Sequence, residues 1–194
     1  MRKADVQRKT KETSISLRLI LDGRGAGRID TGIGFLDHML ELLARHAGFD
    51  LTVKAAGDVH VDDHHLVEDV GIVLGDAIQK GLGKKEGIAR YGWAAVPMDE
   101  SLVLCAVDLS GRPYLSYGLK LRAKRIKKFE TELIEEFLRA VANSAAMNLH
   151  LAQLAGGNTH HIIEAAFKAF ARALGQAVQV SSRVRGVPST KGVL

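Results

Sequence analysis

The chain has almost no cysteine and no long apolar run, and each shortage excludes a class of protein. Cys105 is the only cysteine among 194 residues, so an intrachain disulfide framework is excluded. No uninterrupted apolar run approaches the roughly 20 residues that a transmembrane helix needs. Residues 1–5 also lack the hydrophobic region of a secretory signal peptide. We therefore expect a protein that is neither secreted nor inserted in a membrane, with a reducing cytoplasm as its location.

The composition is that of a folded protein. Hydrophobic residues make up 46% of the chain and charged residues 25%. This is enough apolar material to bury a core, and it excludes an intrinsically disordered chain. The length permits one unit of about 200 residues or two of about 100. Because sites shared between two halves favour fusion into one core, we expect a single functional domain spanning residues 1–194.

Two unusual segments lack the features of known binding motifs. Residues 23–27 are rich in glycine but fit neither the dinucleotide-binding spacing nor the Walker spacing, so a connection between strands is expected. Residues 120–128 are strongly basic but carry no interleaved aromatic residues. We therefore expect no nucleic-acid partner. A solvated strand edge, or charge that attracts a phosphorylated metabolite, explains the basic segment.

The most informative feature is a motif, His-His-x-x-Glu, which occurs at residues 64–68 and again at residues 160–164. On a helix its first and fifth positions lie one turn apart on one face, and its second position lies about 100° away. His64 and Glu68 could therefore share one metal ion while His65 reaches another. The second copy repeats this arrangement with His160, Glu164 and His161. A single copy would be explained by a capped helix start whose histidines only form hydrogen bonds; two copies favour two metal ions.

Apolar periodicity places these motifs on helices. Alternation over residues 13–21 predicts a half-buried strand, and residues 52–56 predict another. Helical spacing over residues 35–47 predicts an amphipathic helix that carries His38 and His46 beside its apolar face. The helix of the first motif is predicted to start at a cap, Asp62 or Asp63, and to end near Lys80. The helix of the second motif is predicted to start at Asn158 or Thr159 and to end near Gln176. Both motifs then lie at helix N-termini, which also favour an anionic ligand.

The rest of the chain repeats in the same order. Residues 37–40 correspond to residues 135–138, so that Glu136 stands where the first half has His38. We therefore predict an α+β fold of two duplicated halves, each with the order strand-strand-helix-strand-helix. The repeats span about 1–87 and about 88–185, and a C-terminal tail follows at about 186–194. In that tail, residues 189–192 are explained either by a frayed end or by a phosphate-binding segment.

Three segments together carry a resemblance to a known family: residues 34–40, the two His-His-x-x-Glu motifs, and residues 188–194. In this order and at these separations they resemble imidazoleglycerol-phosphate dehydratases, and the match covers essentially the whole chain. The resemblance implies helices packed together against β-sheets. It also implies a manganese-dependent lyase of histidine biosynthesis, which dehydrates imidazole glycerol phosphate to imidazole acetol phosphate through a metal-stabilised imidazolate.

The resemblance also implies roles for individual residues. It implies two Mn²⁺ ions per active site, with metal ligands at His38, His64, His65, Glu68, Glu136, His160, His161 and Glu164. Glu136 departs from the histidine of some relatives, although a carboxylate still binds Mn²⁺. Catalytic proton transfer is implied for Glu12 and Glu164. Substrate-binding positions are implied at Glu12, His38, His46, His64, His65, Glu68, Arg90, Arg112, His160, Lys168, Ser189 and Lys191. Of these, Arg90, Arg112, Lys168, Ser189 and Lys191 are implied to form the phosphate pocket.

The implied assembly is a homo-oligomer, a cubic shell of two dozen subunits with active sites between subunits. Two other classes of protein use similar ligands. A dinuclear metallohydrolase is one alternative, but the chain has no His-Glu-x-x-His motif and no obvious dedicated water-activating residue in its pentads. A noncatalytic, metal-stabilised storage shell is the other. The basic residues Arg90, Arg112 and Lys191 favour a phosphorylated ligand over a storage role.

Overall fold

Two four-stranded sheets and four helices form the fold in this computed structural model, which describes residues 1–194. The first half contains strands β1 (Lys3–Lys9), β2 (Thr13–Ile20) and β3 (Gly27–Asp30), helix α1 (Gly34–Ala47), strand β4 (Asp50–Gly57) and helix α2 (His64–Leu82). The second half contains β5 (Tyr91–Met98), β6 (Ser101–Asp108), β7 (Tyr114–Gly118), the short strands β8 (Arg125–Ile126) and β9 (Phe129–Glu130), α3 (Leu133–Ser144), β10 (Asn148–Ala155) and α4 (Thr159–Ala177). The predicted α+β class is confirmed.

The two sheets have the same topology. The strand order is β1-β2-β4-β3 in one sheet and β5-β6-β10-β7 in the other. In each sheet the last strand pairs in parallel and the others pair antiparallel. The first half therefore has one more strand before its first helix than the sequence predicted, and the second half has three more, namely β7 and the two-residue strands β8 and β9. In the first half the four residues of β3 explain the difference, because they are mostly exposed and show no apolar alternation.

Helices fill the space between the sheets. The strands bury one face each, as β2 does with Ile15, Leu17 and Leu19. Helix α2 packs on β1 and β2, and α4 packs on β5 and β6. The helices also pack across the halves, α1 against α4 and α2 against α3. One continuous apolar core results, so the two halves depend on each other for burial.

Two glycines allow α2 and α3 to approach closely. A Cβ atom on Gly71 would lie 2.8 Å from the carbonyl oxygen of Phe137, and one on Gly75 would lie 2.7 Å from that of Val141. No side chain fits at these distances, so the backbones meet directly. This contact fixes α2 against α3 and therefore the position of the first His-His-x-x-Glu motif.

The glycine-rich segment is a turn, as expected from its spacing. Residues 21–26 connect β2 to β3, and the backbone N–H groups of Arg24 and Ala26 donate to Oδ1 of Asp50 at 2.8 and 3.0 Å. These amides are therefore occupied by a carboxylate of the same chain. No helix of this fold combines the length and apolarity needed to cross a bilayer.

Residues 83–90 connect the halves and hold the C-terminal tail. Ile88 pairs with Val180 in an antiparallel bridge, and the N–H of Gly87 donates to the carbonyl of Gly186 at 2.8 Å. Within the connection, Lys85 is buried, and its ammonium donates to the carbonyl of Leu109 at 3.1 Å. The tail is thus anchored on the segment that joins the two repeats.

Candidate metal and substrate site

Both His-His-x-x-Glu motifs lie at helix N-termini, as predicted. The Asn158 side chain accepts a hydrogen bond from the N–H of His160 at 3.0 Å and caps α4. At the start of α2 the corresponding bond runs from the N–H of His64 to Asp62 at 2.8 Å. Each motif therefore begins on a fixed first turn.

The second motif forms a compact cluster with a residue of the first half. Nε2 of His160 lies 3.2 Å from Oε2 of Glu164, and Nε2 of His38 lies 3.9 Å from the same oxygen. All three donor atoms lie within 4.8 Å of one another. Imidazole nitrogens and a carboxylate are ligands suited to Mn²⁺ and other first-row divalent ions. The packing of α1 against α4 thus produces a set of groups that fits a metal ion.

Glu164 is a buried carboxylate within this cluster. Burial raises its pKa, but the ammonium of Lys168, 2.6 Å away, and the neighbouring His38 and His160 outweigh burial and lower the pKa overall. Lys168 is also near His46, whose pKa is lowered by burial and by the charges of Lys168 and Arg172. The predicted positions 46 and 168 therefore belong to the surroundings of this cluster.

Aromatic contacts also support His160. The ring of Phe35 lies 5.5 Å from that of His160, edge to face, and 5.1 Å from that of Phe129. Phe129 is buried in β9, so the short β8–β9 hairpin supports the cluster through Phe35. Sequence reasoning missed this role of the hairpin because the flanking basic residues dominate the segment.

In the first motif, His65 is held by a carboxylate that sequence analysis did not identify. Nδ1 of His65 lies 3.0 Å from Oδ2 of Asp58, and Glu12 lies 3.9 Å from the same nitrogen. The hydrogen bond to Asp58 and the charge of Glu12 raise the pKa of His65, and the His65 hydrogen bond lowers the pKa of Asp58. The other oxygen of Asp58 is buried without a partner. An unpaired buried acceptor beside imidazoles is compatible with a nearby cation.

His161 of the second motif has a similar partner. Its Nδ1 lies 2.8 Å from Oε2 of Glu100, and this bond raises the pKa of His161. Bonds from His161 and from the N–H of Asn158 lower the pKa of Glu100 to about 2. Asp58 and Glu100 lie outside the motifs, and only the register of the strands could have revealed them.

Two further predicted ligands, Glu68 and Glu136, lie where α2 meets α3. Glu68 and Glu136 line one cavity of about 240 Å³, together with Arg139 and Asn143. His64 is one helical turn before Glu68 on α2. Each motif is therefore combined with a residue of the other half: the second with His38, the first with Glu136. The donor atoms of Glu12, Asp58 and His65 form a second group within 4.8 Å of one another, and this cluster shares no residue with that of His38, His160 and Glu164.

Four predicted phosphate-binding residues meet at a separate basic cavity. A cavity of about 710 Å³ is lined by Arg90, Arg112, Ser189 and Lys191. The guanidinium of Arg90 is held by Asp108 at 2.7 and 3.2 Å and by the carbonyl of Pro188 at 2.9 Å. The bond to Asp108 raises the pKa of Arg90. Lys168, which was predicted with this group, instead lies beside Glu164.

Comparison with known sequences identifies relatives over the whole chain. The family model for imidazoleglycerol-phosphate dehydratase matches residues 31–174. The imidazoleglycerol-phosphate dehydratase of Desulforamulus reducens is 58% identical over 193 residues, covering 100% of this chain and 98% of that protein. The enzyme of the same name from Acetivibrio thermocellus is also 58% identical, with 100% and 99% covered.

Solved structures agree with the sequence comparison. The crystal structure of imidazoleglycerol-phosphate dehydratase from Staphylococcus aureus has a TM-score of 0.84 at 43% identity and covers 92% of this chain and 99% of that one. The Pyrococcus furiosus protein, crystallised with (S)-C348, has a TM-score of 0.85 at 40% identity, with 97% and 100% covered. The chain belongs to the imidazoleglycerol-phosphate dehydratase family.

Proposed function

We propose that the protein catalyses the manganese-dependent dehydration of imidazole glycerol phosphate to imidazole acetol phosphate. Membership of the family makes it a hydro-lyase of histidine biosynthesis. The observation that carries the specific proposal is the convergence of His38, His160 and Glu164 on one point at the surface. A basic cavity elsewhere on the same chain adds a place for the phosphate.

We assign metal binding to the histidines and glutamates of the two motifs, together with His38 and Glu136. Two Mn²⁺ ions per active site would be held by His38, His64, His65, Glu68, Glu136, His160, His161 and Glu164. When bound, Mn²⁺ supplies Lewis acidity that withdraws electrons from the imidazole ring of the substrate. That withdrawal matters because the hydrogen next to the ring is otherwise not acidic.

Two carboxylates are the candidates for proton transfer. The Glu12 side chain is 56% exposed, forms no hydrogen bond within the chain, and lies 3.9 Å from the His65 ring. It is therefore free to take a proton from a bound substrate or to return one. Glu164 is ionised and held by Lys168, so we assign to it metal binding combined with proton transfer to the departing hydroxide. Dehydration yields an enol, which tautomerises to the ketone.

The basic cavity explains how the substrate is oriented. Arg112, Ser189 and Lys191 supply donors for a phosphate, and Arg90 is pre-oriented by Asp108. Charge-assisted hydrogen bonds of this kind would place the imidazole end of the substrate toward the metal. We assign His46 and Lys168, together with the motif residues His64, Glu68 and His160, to the substrate-facing side of the site.

Separate metal clusters in one chain support assembly. Each cluster offers only part of the proposed ligand set, and the two share no residue. A neighbouring subunit could complete each site if its first motif faced the second motif of this chain. We therefore propose a homo-oligomer, a shell of two dozen subunits with active sites between them, located in the cytoplasm and without nucleic-acid or membrane partners.

Turnover by metal-depleted protein tests the proposal. Protein stripped by a chelator is given imidazole glycerol phosphate with and without Mn²⁺, and the acetol phosphate product is measured. We expect product only with Mn²⁺. No product from correctly assembled, metal-loaded protein would overturn the proposal; release of inorganic phosphate would indicate a hydrolase, and tight metal binding without turnover would indicate a storage shell.

A further inference from the structure

Glu12 and Glu100 occupy the same position in the two repeats. Glu12 ends the turn between β1 and β2 and directly precedes the first residue of β2. Glu100 ends the turn between β5 and β6 and directly precedes the first residue of β6. Since the sheets have the same strand order, both carboxylates reach the N-terminus of the helix that carries a His-His-x-x-Glu motif.

The two equivalent carboxylates are used differently. Oε2 of Glu100 lies 2.8 Å from Nδ1 of His161, whereas Glu12 remains 3.9 Å from Nδ1 of His65. The other oxygen of Glu100 accepts the hydroxyl of Ser101 at 2.9 Å and the N–H of Asn158 at 3.0 Å. Glu100 is therefore fixed on both oxygens, while the carboxylate of Glu12 has no hydrogen bond.

Asp58 accounts for the difference. It follows β4 and lies 3.0 Å from Nδ1 of His65. Glu100 takes the equivalent position beside Nδ1 of His161 in the second half. Its side chain is only 17% exposed, so the bond is sheltered. The corresponding segment after β10, residues 156–158, has no carboxylate. The first repeat thus has two carboxylates near Nδ1 of its second histidine. In the second repeat only Glu100 is near Nδ1 of His161, and Asp99 lies 3.9 Å from Nε2, on the side proposed for the metal.

A carboxylate on Nδ1 determines which ring nitrogen can bind metal. An ionised carboxylate only accepts hydrogen bonds, so Nδ1 must carry the proton. In a neutral ring, Nε2 then keeps its lone pair and points away from the carboxylate. Carboxylates placed in this way orient histidine ligands in many metal sites, and their loss typically costs about 10–100-fold in metal affinity or activity.

We propose that Asp58 and Glu100 are positioning residues that hold His65 and His161 with Nε2 available as a ligand, and that Asp58 thereby leaves Glu12 free for proton transfer. This inference rests on the proposed function. Asp58 and Glu100, which lie outside the motifs, thus have roles that depend on the duplication. Of the two equivalent glutamates, Glu100 orients a histidine ligand and Glu12 remains free for proton transfer.

Isosteric amides give the sharpest test of ligand orientation. In Glu100→Gln, the amide oxygen is needed by Ser101 and Asn158, so the amide NH₂ faces His161 and moves the ring proton to Nε2. In Asp58→Asn the oxygen that has no partner imposes no such constraint, so the amide oxygen can still accept from His65. We expect Mn²⁺ affinity to fall about 10–100-fold in Glu100→Gln and clearly less in Asp58→Asn.

Affinity is measured on metal-depleted protein by calorimetry and by electron paramagnetic resonance of Mn²⁺, without substrate. The matched control is Asp5→Ala, which removes an exposed carboxylate paired with Arg18 on the outer face of the first sheet. Urea midpoints identify any variant that fails to fold. Equal Mn²⁺ affinity in Glu100→Gln and wild type would overturn the orienting role. If wild-type protein binds no Mn²⁺, the proposed function fails first, and this inference fails with it.

The role of Asp58 in freeing Glu12 has its own readout. In Asp58→Ala the nearest acceptor for His65 is Glu12, so the His65 ring should form a hydrogen bond with the catalytic carboxylate of Glu12. We expect kcat at saturating Mn²⁺ to remain about 10-fold or more below wild type in Asp58→Ala, whereas saturating Mn²⁺ should restore most of kcat in Glu100→Gln. Full recovery of Asp58→Ala at saturating Mn²⁺ would overturn this part while leaving the dehydratase assignment intact.

Discussion

The ammonium of Lys168 lies 2.6 Å from Oε1 of Glu164, one turn earlier on α4. The other carboxylate oxygen of Glu164 faces His38 and His160. One buried carboxylate is thus shared between a lysine and two histidines. In the absence of metal, Lys168 is the main reason that Glu164 stays ionised in spite of its burial.

Replacing Lys168 with methionine should destabilise the metal-free protein at neutral pH. The lowered pKa of Glu164 means that the pair contributes stability above the ordinary carboxyl pKa of 4.5, and that this contribution is lost as the pH falls through the lowered folded value. We expect Lys168→Met to cost about 2 kcal/mol at pH 7 and less in acid. Urea unfolding across pH measures this, with Lys168→Arg as the control. A pH-independent cost would contradict the expectation.

Replacing Gly75 with alanine should destabilise the contact between α2 and α3. The new Cβ would lie 2.7 Å from the carbonyl of Val141, so the helices must separate. We expect a loss of about 1–3 kcal/mol, the usual cost of overpacking a core. Thermal or urea unfolding measures it. Gly34→Ala is a suitable control, since no atom lies within 4 Å of the added Cβ and alanine favours a helix more than glycine does. Equal losses in both variants would show that the close contact with α3 is not the cause.

The helices of the site could be predicted from the sequence, and for a physical reason. Local patterns carry that information: apolar spacing over α1 placed His38 beside the buried face, and the spacing of each motif placed its histidine and glutamate one turn apart. Even the pairing of Glu164 with Lys168 follows from their four-residue separation on α4. These features depend on neighbours along the chain.

The partners of the histidines could not be predicted in the same way. Glu100 meets His161, and Phe129 reaches His160 through Phe35, only because α4 packs across β5 and β6 and beside α1. Such contacts depend on strand register and helix crossing, which no local pattern encodes. The edge strand β3 was missed because a short exposed strand carries no alternation.

Replacing Asp50 with alanine should loosen the turn at residues 23–27. Asp50 accepts two backbone N–H groups, and these bonds lower its pKa. The stabilisation is therefore present above the ordinary carboxyl pKa of 3.8 and is lost as the pH falls through the lowered folded value. Because the group is exposed, we expect Asp50→Ala to cost only about 1 kcal/mol at pH 7. Hydrogen exchange of the Arg24 amide measures it; unchanged exchange would contradict it.

Replacing Arg90 with lysine should release the C-terminal tail. Only a guanidinium can contact both oxygens of Asp108 and the carbonyl of Pro188 together. We expect faster proteolysis within residues 181–194 and about a 10-fold higher KM for the phosphorylated substrate. Arg28→Lys, at an exposed position of β3, is the control. Unaltered proteolysis together with unaltered KM would show that Asp108 and Arg90 do not order the tail.

Removing metal should weaken both the fold and the proposed assembly. If the ligands of one site come from different subunits, metal binding and subunit association are linked, because metal binds only the assembled form tightly. At a free Mn²⁺ concentration about 100 times the dissociation constant, this linkage contributes about 2.7 kcal/mol. Light scattering and thermal melting of metal-depleted protein should show a smaller mass and a lower Tm, both restored by Mn²⁺. Glu164→Gln should respond less to Mn²⁺ than wild type. Identical mass and Tm with and without metal would show that assembly does not depend on these ligands.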